Sequence, residues 1–258
     1  MSEASVLNVR RDGRVLWLRL NRPDARNALD VPLAAAITCA FGGATGNAEV
    51  RAVVLTGNGP SFCAGVDLKA LQANPGHCRP DILDAVTEMF DRVRSFPKPV
   101  ICALNGVTVA GGLELAMCCD VILAAESATI GDGHSNFGVV PGGGAAALLP
   151  QRIGLHRAKA MLFTGNILPA KTWAEWGLVH RVVPDDQLDI AADEFAQLLV
   201  RKSPMVLRRM KRAVNATMEM SQLLALRNEL AELRDHMKSA DFREGMAAFT
   251  ERRTPNFE

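Results

Sequence analysis

The sequence predicts an α/β fold that gives way to an all-helical C-terminal region. Three observations carry this: short apolar runs bounded by Gly, Asp and Asn, helical apolar spacing between those runs, and helical patterns alone beyond about Pro150. Strands mixed with helices first, and helices last, is the order of an α/β core followed by a helical region.

Taken in order, Val6-Leu7-Asn8-Val9 and Val15–Leu20 read as strands parted by the turn residues Asp12-Gly13. Asp30 precedes a helical pattern through Leu33, Ile37 and Phe41, which Gly42-Gly43 closes. Residues 51–57 form a buried strand with a glycine stop. Ile82, Val86, Met89, Phe90 and Val93 recur at helical spacing, and Pro97 ends that helix. Val100–Leu104 and residues 121–124 are two further strands. Beyond Pro150, strand patterns nearly vanish and helical patterns follow at 156–163, 170–176, 188–199, 204–218 and 221–237.

Composition narrows the function classes. The 258 residues suffice for one large domain or two small ones with a sizeable core. With 48% hydrophobic and 22% charged residues, the chain is too apolar to be disordered. A net charge of +1, from 29 basic and 28 acidic residues, gives no electrostatic reason to expect nucleic acid or membrane partners. Arg208, Arg209, Lys211 and Arg212 cluster locally, but no aromatics interleave them; a solvated helix face or the surround of a phosphate-bearing ligand fits better. No apolar stretch reaches the roughly 18 residues a membrane helix needs, and the N-terminus lacks a signal-peptide core. The six cysteines (Cys39, Cys63, Cys78, Cys102, Cys118, Cys119) form no C-x-x-C pair and read as reduced, mostly buried thiols. A soluble, cytoplasmic protein is expected.

Several motifs are absent. Gly142-Gly143-Gly144 leads into alanines without the lysine of a phosphate loop, and no G-x-G-x-x-G follows a strand. Gly133 to Gly138 misses the nucleophile-elbow spacing by one residue, and the five histidines are too scattered for a zinc motif. Two other segments place a small-residue turn just after a strand: Ser61-Phe62-Cys63-Ala64-Gly65-Val66-Asp67-Leu68-Lys69 and Asn105-Gly106-Val107-Thr108-Val109-Ala110-Gly111-Gly112-Leu113-Glu114-Leu115-Ala116. Such turns let a ligand approach the backbone and aim free N–H groups outward, where two of them can stabilise an oxyanion. Glu114 stands one helical turn beyond Gly111, beside that point. A Gly-rich helix start also serves packing alone.

Both segments resemble the paired oxyanion-hole motifs of the crotonase (enoyl-CoA hydratase/isomerase) superfamily. The resemblance spans nearly the whole chain. Asn21-Arg22-Pro23-Asp24-Ala25-Arg26-Asn27-Ala28-Leu29 is similar to that family's coenzyme A-binding turn. Leu162-Phe163-Thr164-Gly165 with Gly177-Leu178-Val179 resembles its helical middle, and residues 243–253 resemble its C-terminal helix. The resemblance implies a crotonase-like spiral of repeated ββα units over residues 1–200 and a helical C-terminal trimerisation region over 201–258. It implies a homotrimer or homohexamer acting on an acyl-CoA, with coenzyme A part of the substrate and neither cofactor nor metal.

By position, the resemblance assigns the N–H groups of Ala64 and Gly111 to the thioester oxygen. It places Ala25, Arg26, Asp67, Leu68 and Gly142 along the substrate or its coenzyme A, with Phe249 and Arg252 reaching the ligand from a neighbouring subunit. Hydratases of this family use two glutamates. Glu114 matches the first; the second falls on His134, with both flanks matched and no gap. Asp132 is a weaker substitute. A histidine there still transfers protons, or it lines the pocket without chemistry. The expected reaction is hydration of a 2-enoyl-CoA or its reverse. Isomerisation, or C–C or thioester hydrolysis, is the alternative; a catalytically weak acyl-CoA-binding protein is the third reading, against which Glu114 argues.

Overall fold

Two sheets organise the computed structural model, which describes residues 5–73 and 80–257. Strands β1 (Leu7–Asp12) and β2 (Val15–Leu20) form an antiparallel hairpin around Gly13, followed by helix α1 (Val31–Thr45). A unit of two strands and a helical segment then repeats three times. Strands β3 (Ala52–Gly57) and β4 (Ser61–Cys63) lead to α2 (Leu68–Ala73) and α3 (Ile82–Arg94). Strands β5 (Val100–Leu104) and β6 (Val107–Val109) lead to α4 (Gly111–Met117). Strands β7 (Val121–Ala125) and β8 (Thr129–Gly131) lead to a 3₁₀ turn at His134–Phe137 and α5 (Ala145–Ile153). These are the repeated ββα units that the resemblance implied.

The remaining elements are α6 (Leu155–Thr164), β9 (Ile167–Pro169), α7 (Ala170–Glu175), β10 (Arg181–Val183), α8 (Leu188–Val200), α9 (Pro204–Ala216), α10 (Gln222–His236) and α11 (Ala240–Glu251). The first strand of each unit joins a six-stranded sheet ordered β1-β2-β3-β5-β7-β10, parallel from β2 onward. The second joins a smaller sheet ordered β4-β6-β8-β9, whose β9 alone runs antiparallel. Strands β3 and β5 are buried throughout, which is why they read as unbroken apolar runs. Helix α8 packs on β3, β5 and β7, and α1 packs against β1, β2 and α3. The buried Trp173 of α7 donates its indole N–H to the Ile130 carbonyl at 2.9 Å, tying the later helices to the small sheet.

Two sequence expectations need correction. Helix α1 does not close at Gly42-Gly43 but continues to Thr45. Each glycine costs about 1 kcal/mol there relative to alanine, and burial of Phe41 and Ala44 on either side of the pair offsets it. Strands also persist beyond Pro150, as β9 and β10, each too short to show alternation. Among the described residues the cysteines are free; Cys78 lies outside them. No described helix is long and apolar enough to cross a membrane.

Candidate active site

The site forms where the C-terminal end of β4 meets the start of α4. Leu29 bridges the chain leaving β4: its N–H donates to the Gly65 carbonyl at 2.7 Å, and its carbonyl accepts from Asp67 N–H at 2.8 Å. In such a parallel bridge the intervening residue presents its own N–H to the opposite side. That residue is Val66, and its N–H has no partner among the described residues. On that side lies Gly111, where an added Cβ would sit only 3.3 Å from the Val66 nitrogen. Gly111 opens α4, so its N–H lacks an intrahelical acceptor.

Ala64, the donor expected from the sequence, is not free. Its N–H is already bonded to the Arg26 carbonyl at 3.0 Å, because Arg26 and Asn27 turn back at φ 51° and 55° and bring that carbonyl over β4. The free pair is therefore Val66 and Gly111. Ala110, just before Gly111, is held at φ 51° and ψ −121°, a left-handed conformation costly for a residue with a Cβ. Its N–H donates to the Gly131 carbonyl at 3.1 Å, which anchors the turn to β8.

Glu114 lies one turn into α4 and is only 2% exposed. Its Oε1 accepts from Gly143 N–H at 2.8 Å and Ala145 N–H at 3.1 Å, so the loop entering α5 fixes the carboxylate and leaves Oε2 free. The fit is tight. A Cβ at Gly143 would lie 2.2 Å from Phe90 Cε2 and 2.6 Å from Glu114 Oε2.

His134 follows β8 and lies close enough to Glu114 to feel its charge. Its Nδ1 is 2.9 Å from Oδ1 of Asp132, a carboxylate with no exposed surface, and its backbone N–H donates to Asp132 Oδ2 at 3.3 Å. Burial works against the imidazolium, but the Asp132 hydrogen bond and charge, with Glu114 behind them, prevail and hold the His134 pKa above its ordinary value. Asp132 thus partners His134 and does not replace it.

The nearby thiols are not nucleophiles. Burial pushes Cys63 and Cys118 up to about 12, so neither forms a thiolate at neutral pH. Asp67 caps α2 through the N–H groups of Lys69 and Ala70 and pairs with Arg22 at 3.2 Å; Arg22 also holds Asp30 at 3.0 Å. Arg22 thereby ties the turn at Ala25 and Arg26 to the segment that presents Val66. Arg26, Leu68 and Gly142 are exposed around this face and Ala25 is partly exposed. Phe249 and Arg252 stand exposed at the end of α11. A separate cavity of about 610 Å³, beside Arg14, Arg51, Lys98 and Phe257, carries no comparable chemistry. Arg51 there already binds the Val200 and Phe257 carbonyls, and Lys98 those of Ala44 and Asn47.

Val66, Gly143 and the pairing of Asp132 with His134 were not evident from the sequence. The signal for Val66 lies in the alternation imposed by Leu29, a contact distant in sequence. No group of three or more potential metal ligands occurs among the described residues.

A model of the enoyl-CoA hydratase/isomerase family matches residues 10–258. The 1,2-epoxyphenylacetyl-CoA isomerase of Escherichia coli K12 is 34% identical over 251 residues, 94% of each chain. The 2,3-dehydroadipyl-CoA hydratase of the same organism is 34% identical over 258 residues, 98% of each chain. Among solved structures, the enoyl-CoA hydratase of Bacillus anthracis matches with a TM-score of 0.92 at 32% identity, over 98% of both chains. That of Polaromonas sp. JS666 matches at 0.93 and 31%, over 98% of this chain and 99% of the other.

Proposed function

The chain belongs to the enoyl-CoA hydratase/isomerase family of the crotonase superfamily, and from that premise we propose that it adds water across the double bond of a 2-enoyl-CoA thioester, or removes it. One observation supports this above the rest: a buried carboxylate, Glu114, stands one helical turn beyond Gly111, whose backbone N–H and that of the adjacent Val66 have no partner among the described residues. When water adds at C3, negative charge moves to the thioester oxygen. The Val66 and Gly111 N–H groups stabilise that charge more in the transition state than in the ground state, which is what accelerates the step. Glu114 and His134 handle the proton of water and the proton at C2. The chemistry changes no oxidation state, so it requires no redox cofactor, and the two N–H donors polarise the thioester carbonyl as a Lewis-acid metal would, so it requires no metal.

In this reading, Ala25, Arg26, Asp67, Leu68 and Gly142 border coenzyme A, and Phe249 and Arg252 meet the ligand of a neighbouring subunit. The exposed apolar residues of the last helices, among them Val214 at 65%, Leu223 at 67% and Phe249 at 81%, support assembly as a trimer or a dimer of trimers. The free cysteines support a reducing, cytoplasmic setting. Double-bond isomerisation is the second reading, favoured by a histidine at the position of the second glutamate, since one acid/base group can carry a proton between carbons.

Incubation with crotonyl-CoA, following loss of the conjugated thioester absorbance, against a 3-enoyl-CoA, following its gain, separates the two. Glu114→Gln keeps the Oε1 acceptor for Gly143 and Ala145 but cannot take a proton, so kcat falls roughly 10²–10⁴-fold while KM changes little. Full activity in that variant would refute the mechanism.

A further inference from the structure

We propose that Asp132 is a positioning residue for His134: it fixes the ring with Nδ1–H turned toward Asp132 and Nε2 left free, so that His134 serves as the acid of the hydration and Glu114 as its base. This division of roles rests on the hydration reading above.

The geometry carries it. Asp132 follows β8 between Gly131 and Gly133 and has no exposed surface, yet both its oxygens are engaged by one residue, Oδ1 with His134 Nδ1 at 2.9 Å and Oδ2 with His134 N–H at 3.3 Å. No lysine or arginine pairs with it among the described residues. A buried carboxylate without a cation is costly, and a protonated His134 removes that cost locally. His134 Nε2 has no protein partner among the described residues, which leaves it for the substrate.

The charges acting on the ring are Asp132, from its own loop, and Glu114, from α4, both negative. Helix α6, which packs against the 3₁₀ turn, carries His156, Arg157 and Lys159; Arg157 lies over the Trp176 ring at 5.5 Å, and none of the three is among the groups shifting His134. Burial opposes the cation, but both charges that act on the ring favour it and prevail, which agrees with the raised His134 pKa. Glu114 is set up differently: two N–H donors occupy Oε1 and leave Oε2 as an acceptor.

The proton inventory closes. Glu114 Oε2 takes a proton from water as the water oxygen bonds to C3. The C2=C3 electrons move toward the thioester oxygen, between the Val66 and Gly111 N–H groups. They return to form a C2–H bond with the proton from His134 Nε2, which restores the thioester carbonyl. After product leaves, the proton on Glu114 passes through solvent to His134. Each turnover consumes one water and nothing else.

The test is imidazole ¹H–¹⁵N correlation NMR on the full chain across pH, with His134→Gln identifying the His134 signal among the five histidines. The expected wild-type result is titration above the ordinary value of about 6.5 and an Nδ1–H tautomer once neutral. In Asp132→Asn, which keeps the shape, the midpoint falls and the tautomer preference weakens. The alkaline limb of the kcat profile then moves to lower pH, and kcat drops roughly 10–10²-fold, part of what a general acid supplies, with KM little changed. Wild-type His134 titrating at or below the ordinary value overturns the proposal, even if Asp132→Asn does not fold. So does an Asp132→Asn variant whose midpoint and alkaline limb stay in place. The NMR arm needs no substrate: an intact Asp132–His134 signature without crotonyl-CoA hydration rejects the hydration reading, and the reverse outcome rejects the role of Asp132.

Discussion

Gly143→Ala tests the site through a single methyl group. The added Cβ would fall 2.2 Å from Phe90 Cε2, 2.6 Å from Glu114 Oε2 and 2.8 Å from Glu114 Cδ. Phe90 and Glu114 are only 3% and 2% exposed, so neither side chain has open space to move into. Overpacking of this kind costs about 1–3 kcal/mol. Loss of the Gly143 N–H bond to the carboxylate, a hydrogen bond to a charged group, adds about 1.5–3 kcal/mol. At roughly 2–4 °C per kcal/mol for a chain of this size, the melting temperature should fall by roughly 5–24 °C. Activity should fall further than stability implies, because displacing the base by about 1 Å costs on the order of 10²-fold. Gly46→Ala, at the end of α1, is the control: its Cβ meets nothing within 4 Å and its backbone is not left-handed. Thermal melts and crotonyl-CoA hydration on the pair decide the matter. If Gly143→Ala matches Gly46→Ala in both, the contact with Glu114 does not govern the site.

Ala110→Gly should raise stability by about 1 kcal/mol and at most about 2.6 kcal/mol, because relief of a left-handed alanine (about 1–3 kcal/mol) outweighs the extra unfolded-state entropy of glycine (about 0.4–1 kcal/mol). A urea midpoint below wild type would contradict the strain at φ 51°. Static light scattering at micromolar concentration should give three or six times the 27.8 kDa chain mass; a monomer would contradict the assembly proposed from the exposed apolar faces of α9 to α11.

How much was legible in the sequence follows from the physics of each element. Strands β3, β5 and β7 announce themselves because a parallel strand buried on both faces reads as a continuous apolar run. Strands β4, β6 and β8, three residues each, are too short for any period to appear. Helix α5 was hidden by the glycines before it and by Pro150 within it. The proline leaves the Ala146 carbonyl without a helical donor, and Ala146 is exposed, so water can satisfy it. Glu114 was legible as the lone carboxylate in an apolar helix. The displacement from Ala64 to Val66 was not, because Leu29 decides which N–H faces α4. Asp132 was undervalued for a related reason: sequence places it two residues from His134 but does not show that it is buried with the ring as its partner.

The three repeats explain why the groups converge. Strands β4, β6 and β8 run parallel side by side, so their C-terminal ends lie along one edge of the small sheet. The chain leaving β4 supplies the Val66 N–H, the chain leaving β6 supplies Gly111 and Glu114, and the chain leaving β8 supplies Asp132 and His134. Each repeat contributes one part: one N–H, then a second N–H with a buried carboxylate, then the imidazole and its carboxylate. The Ala110 N–H bond to Gly131 locks the second repeat to the third, so the strained turn presenting the Gly111 N–H is held by the strand that presents His134. In such a design the reacting end of the thioester is fixed by strand ends that cannot move independently.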